Sequence, residues 1–106
     1  MPKYMAKANY TSEGAKGLLA EGGTARRAAA TAAAESVGGT IESFYYAFGD
    51  ADVYGVADFP DDASATAFSL LVNSSGAVSL SLIPLMSAED IDAATTKSPN
   101  YRPPGS

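Results

Sequence analysis

Residues 40–62 read TIESFYYAFGDADVYGVADFPDD. Runs 40–48 and 51–59 are rich in β-branched and aromatic residues and flank Gly49-Asp50. A Gly-Asp pair between two such runs predicts a two-residue hairpin, because glycine supplies the positive φ that these turns require. Pro60 has no N–H to donate and stops the second strand. Asp61 or Asp62 then offers an N-cap oxygen to a new helix. Strand, turn, strand and helix start follow from this stretch, and the rest of the chain must cover the hairpin.

The chain has 106 residues, which is room for one core. A domain this short buries only about two-thirds of its unfolded surface alone, which leaves oligomerisation as a further source of burial. There is no cysteine and no histidine. Disulfides, thiolate metal sites and thiol nucleophiles are excluded, as are the commonest general base and the commonest metal ligand. The lack of cysteine fits a cytoplasmic protein. The net charge of −5 lacks the basic footprint of a nucleic-acid binder. The first ten residues, MPKYMAKANY, hold no apolar core of signal-peptide length, and no membrane span is expected.

Before the hairpin, residues 3–10 alternate, with Tyr4, Ala6, Ala8 and Tyr10 on one side and Met5, Lys7 and Asn9 on the other. This is a half-exposed strand. Thr11-Ser12 can cap a weak helix over 13–21, which carries Gly14 and Gly17 and ends at Gly22-Gly23. Thr24 can cap a stronger helix that runs to about Val37, with Ala25, Ala28, Ala29, Ala32 and Ser36 as its inward stripe and Gly38-Gly39 as its stop. So small a face needs bulk from the sheet, and Phe44, Tyr46 and Phe48 are placed to supply it, with Ile41, Ser43 and Tyr45 on the opposite face.

After the hairpin, 61–72 reads as a helix with Ala63, Ala67, Phe68 and Leu71 inward. Residues 77–85 form the fourth strand, with Val78, Leu80 and Leu82 on one face and Pro84 marking an edge or an end. Ser87-Ala88-Glu89-Asp90 opens a short helix to about Ala94. The segment 98–106, SPNYRPPGS, is Pro-rich and extended. The order β-α-β-β-α-β matches an α+β, ferredoxin-like fold: a four-stranded antiparallel sheet with two helices on one face and a short C-terminal helix. The other sheet face is left open and holds apolar side chains, which predicts a homo-oligomer through that face.

Several stretches resemble the GYD domain family. They are Gly49-Asp50-Ala51-Asp52-Val53 and the run from Ala57 to Asp62; Tyr10-Thr11 and Gly14 after strand one; Arg26-Arg27; Gly38-Gly39; Phe44-Tyr45; and Ser87-Ala88-Glu89-Asp90. The resemblance covers roughly 3–94. It divides the chain into a GYD-like domain, 1–97, and a Pro-rich tail, 98–106. It implies a fold of the dimeric α/β-barrel kind and no particular reaction. The naming motif has its glycine at Gly49 and its aspartate at Asp52, and its tyrosine position is Ala51. Tyr54 lies three positions on, out of step with the strand period.

Asp50, Asp52, Asp58, Asp61 and Asp62 crowd one region, but their spacing fits no calcium loop, and caps and turns account for them. No metal is expected. Asp52 begins a strand, where aspartate is unfavourable. It is either a structural acceptor for backbone amides, the preferred reading, or a ligand contact or base. Tyr4, Tyr10, Tyr45, Tyr46 and Tyr54 suit core and interface positions, the preferred reading, or line a pocket between sheet and helices with their phenols aimed at a ligand. Arg26 and Arg27 stand near a helix start, where cations are disfavoured, which allows an anion site or an ion pair. Gly49 and Asp52 are the structural motif residues, and Tyr46, Tyr54, Asp52 and Arg26 are the ligand-binding candidates. The leading expectation is a small oligomeric binding or assembly module with a small apolar ligand and no cofactor. The alternative is a cofactor-independent monooxygenase or isomerase acting on an apolar aromatic, using Tyr46 or Tyr54 with Asp52.

Overall fold

A computed structural model describes residues 2–106. Strands β1 (Lys3–Tyr10), β2 (Thr40–Tyr46), β3 (Val53–Asp58) and β4 (Val78–Pro84) form one four-stranded antiparallel sheet in the order β2-β3-β1-β4. Helices α1 (Ser12–Glu21) and α2 (Gly23–Glu35) connect β1 to β2, α3 (Asp62–Ser74) connects β3 to β4, and α4 (Ala88–Thr95) follows. This is the ferredoxin-like α+β arrangement. β4 is an edge strand and ends at Pro84, whose missing N–H costs nothing at that place.

Local chemistry sets the helix ends. The Thr11 hydroxyl accepts from the Gly14 N–H at 3.2 Å and caps α1. Gly22, at φ +86°, ends α1 and lets α2 begin at once. Asp61 caps α3 by accepting from the Ser64 N–H at 2.8 Å, a bond that lowers the carboxyl pKa. Ser87 and Asp90 form a reciprocal capping box on α4.

The connection between β2 and β3 differs from the expected two-residue turn. It is the loop 47–52, closed by the Ala47 N–H donating to the Asp52 carbonyl at 2.9 Å, and Gly49 does not use a positive φ. The far end of this loop is held by β1. The Asp52 N–H donates to the Ala8 carbonyl at 2.9 Å, and Ala51 is fully buried, so both residues are drawn into the sheet and the turn widens. Phe48, expected to pack on α2, is left wholly in solvent.

A bulge between Ile41 and Ser43 shifts the register of β2. Ile41 faces Ala57, Phe44 faces Gly55 and Tyr46 faces Val53, so all three point toward the helices. Simple alternation had put Ile41 on the opposite face from Phe44.

The core lies between sheet and helices and is built on Tyr4, Ala34, Ala57, Phe59, Ala65 and Phe68. Phe59 is fully buried, edge-on to Tyr4 at 5.7 Å and tilted against Phe68 at 5.3 Å. The Tyr4 hydroxyl donates to Asp62 at the start of α3, which raises the Tyr4 pKa. The bulk therefore comes from Tyr4, Phe59 and Phe68 rather than from Tyr46 and Phe48. The inward side of α2 is Ala30, Ala33 and Ala34, continued by Val37 just beyond its end, whereas Ala25, Ala28, Ala29, Ala32 and the C-cap Ser36 are exposed. On α3 the inward set is Ala65, Phe68 and Val72, while Ala63, Ala67 and Leu71 face out. With so many alanines, the sequence pattern is nearly uniform around α2, and only the docking of larger neighbours picks the face.

The open face carries cross-strand rows. Ser43, Val56, Met5 and Ile83 form one, and Tyr45, Tyr54, Lys7 and Ser81 form the next. Ile83 and Tyr45 are 45% and 71% exposed. An apolar band thus crosses this face, with polar groups on its flanks. Beyond the band, Lys3 pairs with Glu42 at 2.6 Å and with Asp58 at 3.1 Å, and these partners, Glu42 first, raise its pKa.

Candidate functional site

The space between sheet and helices has two unequal halves. One is filled by Phe59 and its neighbours. In the other, the residues are small: Ala6 and Ala8 on β1, Gly55 on β3, and Ala30 and Ala33 on α2. Small residues allow close packing or leave a void, and here they leave a cavity of ≈ 140 Å³ with an almost wholly apolar lining. Phe44, Phe68 and Val72 close its sides. Gly55 is needed at its floor, because a Cβ there would lie 2.6 Å from the Ser43 carbonyl oxygen.

Polar groups gather at one end. Tyr10 and Arg26 both line the cavity. Tyr46 stands beside them and donates its hydroxyl to the Gly23 carbonyl at 2.9 Å, pinning the first residue of α2 to the sheet. The Tyr46 ring takes the space a Gly23 side chain would need, since a Cβ there would sit 3.0 Å from the ring. Arg26 reaches Glu21 at 3.6 Å across the break between α1 and α2. The Tyr10 hydroxyl is pushed up to about 12, chiefly by burial and then by Tyr46, with Arg26 partly offsetting both.

This shift has a pH consequence. A phenol whose folded pKa is above its unfolded value of about 10 favours the protonated native state. Its contribution to stability is complete below pH 10 and is lost as pH rises through about 12. Urea midpoints measured across that window should fall for the native chain, and less for Tyr10→Phe. Equal falls for both chains would show that another group governs the alkaline limb.

The structure places the four ligand-binding candidates differently. It brings Tyr46 and Arg26 together at the polar end of the cavity. Tyr54 is on the open sheet face opposite Tyr45, away from the cavity. The Asp52 carboxylate accepts from the Tyr10 N–H at 2.9 Å at the end of β1, a bond that ties the β2–β3 loop to the central strand. Gly49 is exposed in that loop, with open space around it. Tyr10, outside the four ligand-binding candidates but one of the five tyrosines read as core or pocket lining, belongs with Tyr46 and Arg26. The signal that could have found it is its position as the last residue of the Tyr4, Ala6, Ala8, Tyr10 face.

Among the described residues, no helix is long and apolar enough to cross a membrane, and no group of three or more acidic side chains could hold a metal ion. Searches among curated proteins and among solved structures returned no match. The family model described as GYD domain matches residues 4–95, which takes in all four helices and nearly the whole sheet, and the chain belongs to the GYD domain family.

Proposed function

We propose that the protein is a homo-oligomeric binding module that holds a small apolar ligand between its sheet and its helices, and that copies associate through the open sheet face. The cavity beside α2 carries this reading. An apolar cavity of about 150 Å³ accommodates one benzene ring, and the cavity here is ≈ 140 Å³. A single ring fits, with any oxygen it bears directed to Tyr10 and Arg26. A phenol pushed up to about 12 is poorly matched to proton transfer near neutrality. The polar end therefore suits holding a ligand better than the alternative, cofactor-independent turnover of an aromatic substrate.

Ala30→Leu tests the reading by filling the cavity from α2. The variant should gain about 1 kcal/mol of stability, as cavity-filling changes commonly do. Phenol at millimolar concentration should raise the melting temperature of the native chain and shift the NMR signals of Val72 and Phe68. It should do neither in Ala30→Leu. A phenol response that survives the substitution, or none in either protein, would remove the cavity from consideration as the binding site.

A further inference from the structure

The chain beyond β4 is ordered into a capped helix that buries none of its side chains among the described residues. Every residue from 83 to 106 is exposed, and α4 has no buried residue. The Cα radius of gyration is 17.0 Å, where a compact chain of this length has about 13 Å. The molecule is 57 Å long against 33 and 22 Å in its other dimensions, as a projecting arm requires. The last backbone tether of that arm is the Leu85 N–H donating to the Lys3 carbonyl at 2.9 Å.

An eight-residue helix is too short to persist in water by itself; isolated helices below about 12–15 residues are marginal even with good formers. The capping box contributes on the order of 1 kcal/mol, which does not offset that deficit. The arm also presents apolar side chains to solvent: Leu85 is 40%, Met86 70% and Ile91 47% exposed. Met86 and Ile91 occupy the positions that flank a helix start as a hydrophobic staple. A helix of this length with such a surface needs something to lie on.

We infer that the arm of one copy lies on the open sheet face of a second copy. This rests on the association proposed above and says what makes the contact. The chemistry of the two surfaces matches. The arm offers Leu85, Met86 and Ile91, with Asp90 and Asp92 on the two flanks of Ile91 along the helix. The open face offers the Met5, Val56 and Ile83 band with Lys7 in the adjoining row, and Lys7 has no ion-pair partner among the described residues. Acid flanking an apolar centre thus meets an apolar centre beside an unpaired cation. Both surfaces are present once per chain, so a two-fold arrangement satisfies them reciprocally.

The absence of cysteine makes the test clean. Two single-cysteine proteins, Ile91→Cys and Val56→Cys, are mixed and oxidised, and mass is measured by light scattering, because an elongated chain misleads elution volume. The expected result is a covalent 91–56 heterodimer as the main product. Ile91→Asp in the full chain should raise the dimer dissociation constant about tenfold or more, from the loss of one buried aliphatic side chain, with the circular dichroism of the sheet kept. A native dimer that gives no 91–56 product and is unmoved by Ile91→Asp overturns the arm contact and leaves association through the sheet standing. A native chain that is monomeric at high micromolar concentration overturns both. A double variant, Val56→Cys with Ile91→Cys, that closes a bridge within one chain places the arm on its own sheet and also overturns the inference.

Discussion

Phe59→Ala is expected to remove about 3–5 kcal/mol of stability, the usual loss for a buried phenylalanine. Native domains have only about 5–15 kcal/mol in hand, so the variant should be close to unfolding in mild urea. Phe59 is fully buried at the end of β3 and touches both sides of the core, Tyr4 from β1 and Phe68 from α3. The Gly39 backbone is also pressed against it, since a Cβ at Gly39 would lie 2.6 Å from the ring. Neighbours held by their own backbones cannot collapse into the vacated volume, which puts the loss at the upper end of the range. Phe68 is shared with the cavity, so the change should loosen the cavity wall as well. Urea unfolding with an unchanged slope measures the effect. A loss below about 1 kcal/mol would mean that the centre of the core lies elsewhere.

The element order was legible because most boundaries carry their own chemistry. Of the cap pairs read from residue type, Thr11 rather than Ser12 and Asp61 rather than Asp62 accept the backbone bond, as does Ser87. Thr24, also read as a cap, lies inside α2, which starts behind Gly22 with no side-chain cap. The strands of β1 and β4 alternate cleanly, and Tyr4, Ala6, Ala8 and Val78, Leu80, Leu82 do face the helices. Three features were hidden for physical reasons. The β2 bulge leaves no mark on the residue pattern, because Glu42 and Ser43 are both acceptable on an exposed strand face. The inward face of α2 could not be chosen among alanines that differ in nothing but position. The wide loop 47–52 depends on bonds from Asp52 to Ala8 and Tyr10, more than 40 residues away in sequence. The candidate site was half legible. Tyr46 and Arg26 were nominated on separate grounds, and only the packing of Gly23 against Tyr46 brings them to one end of one cavity.

Gly14→Ala and Gly17→Ala should move stability in opposite directions, although both replace glycine by alanine within α1. Propensity alone favours both changes by about 1 kcal/mol. At Gly17 nothing opposes it, since the nearest atom to an added Cβ is the flexible Glu21 carboxylate at 3.9 Å, and the melting temperature should rise. At Gly14 the added Cβ would stand 2.0 Å from the Ala77 carbonyl oxygen and 3.0 Å from the Tyr10 ring. That oxygen belongs to the backbone leading into β4 and cannot swing aside as a side chain would. The helix must back away instead. In doing so it weakens the Thr11 N–H bond to Ala77 at 3.0 Å and the Thr11 hydroxyl bond to Gly76 at 3.0 Å. Overpacking costs about 1–3 kcal/mol, and each weakened bond about 1 kcal/mol more, which exceeds the propensity gain. The net loss at Gly14 is expected near 3 kcal/mol, about 12 °C or more in melting temperature for a domain of this size. Because α1 leads directly into Gly22 and α2, the displacement should carry to Arg26 and Tyr10. A Gly14→Ala chain that still binds phenol as the native protein does would show that the polar end of the cavity is positioned without α1.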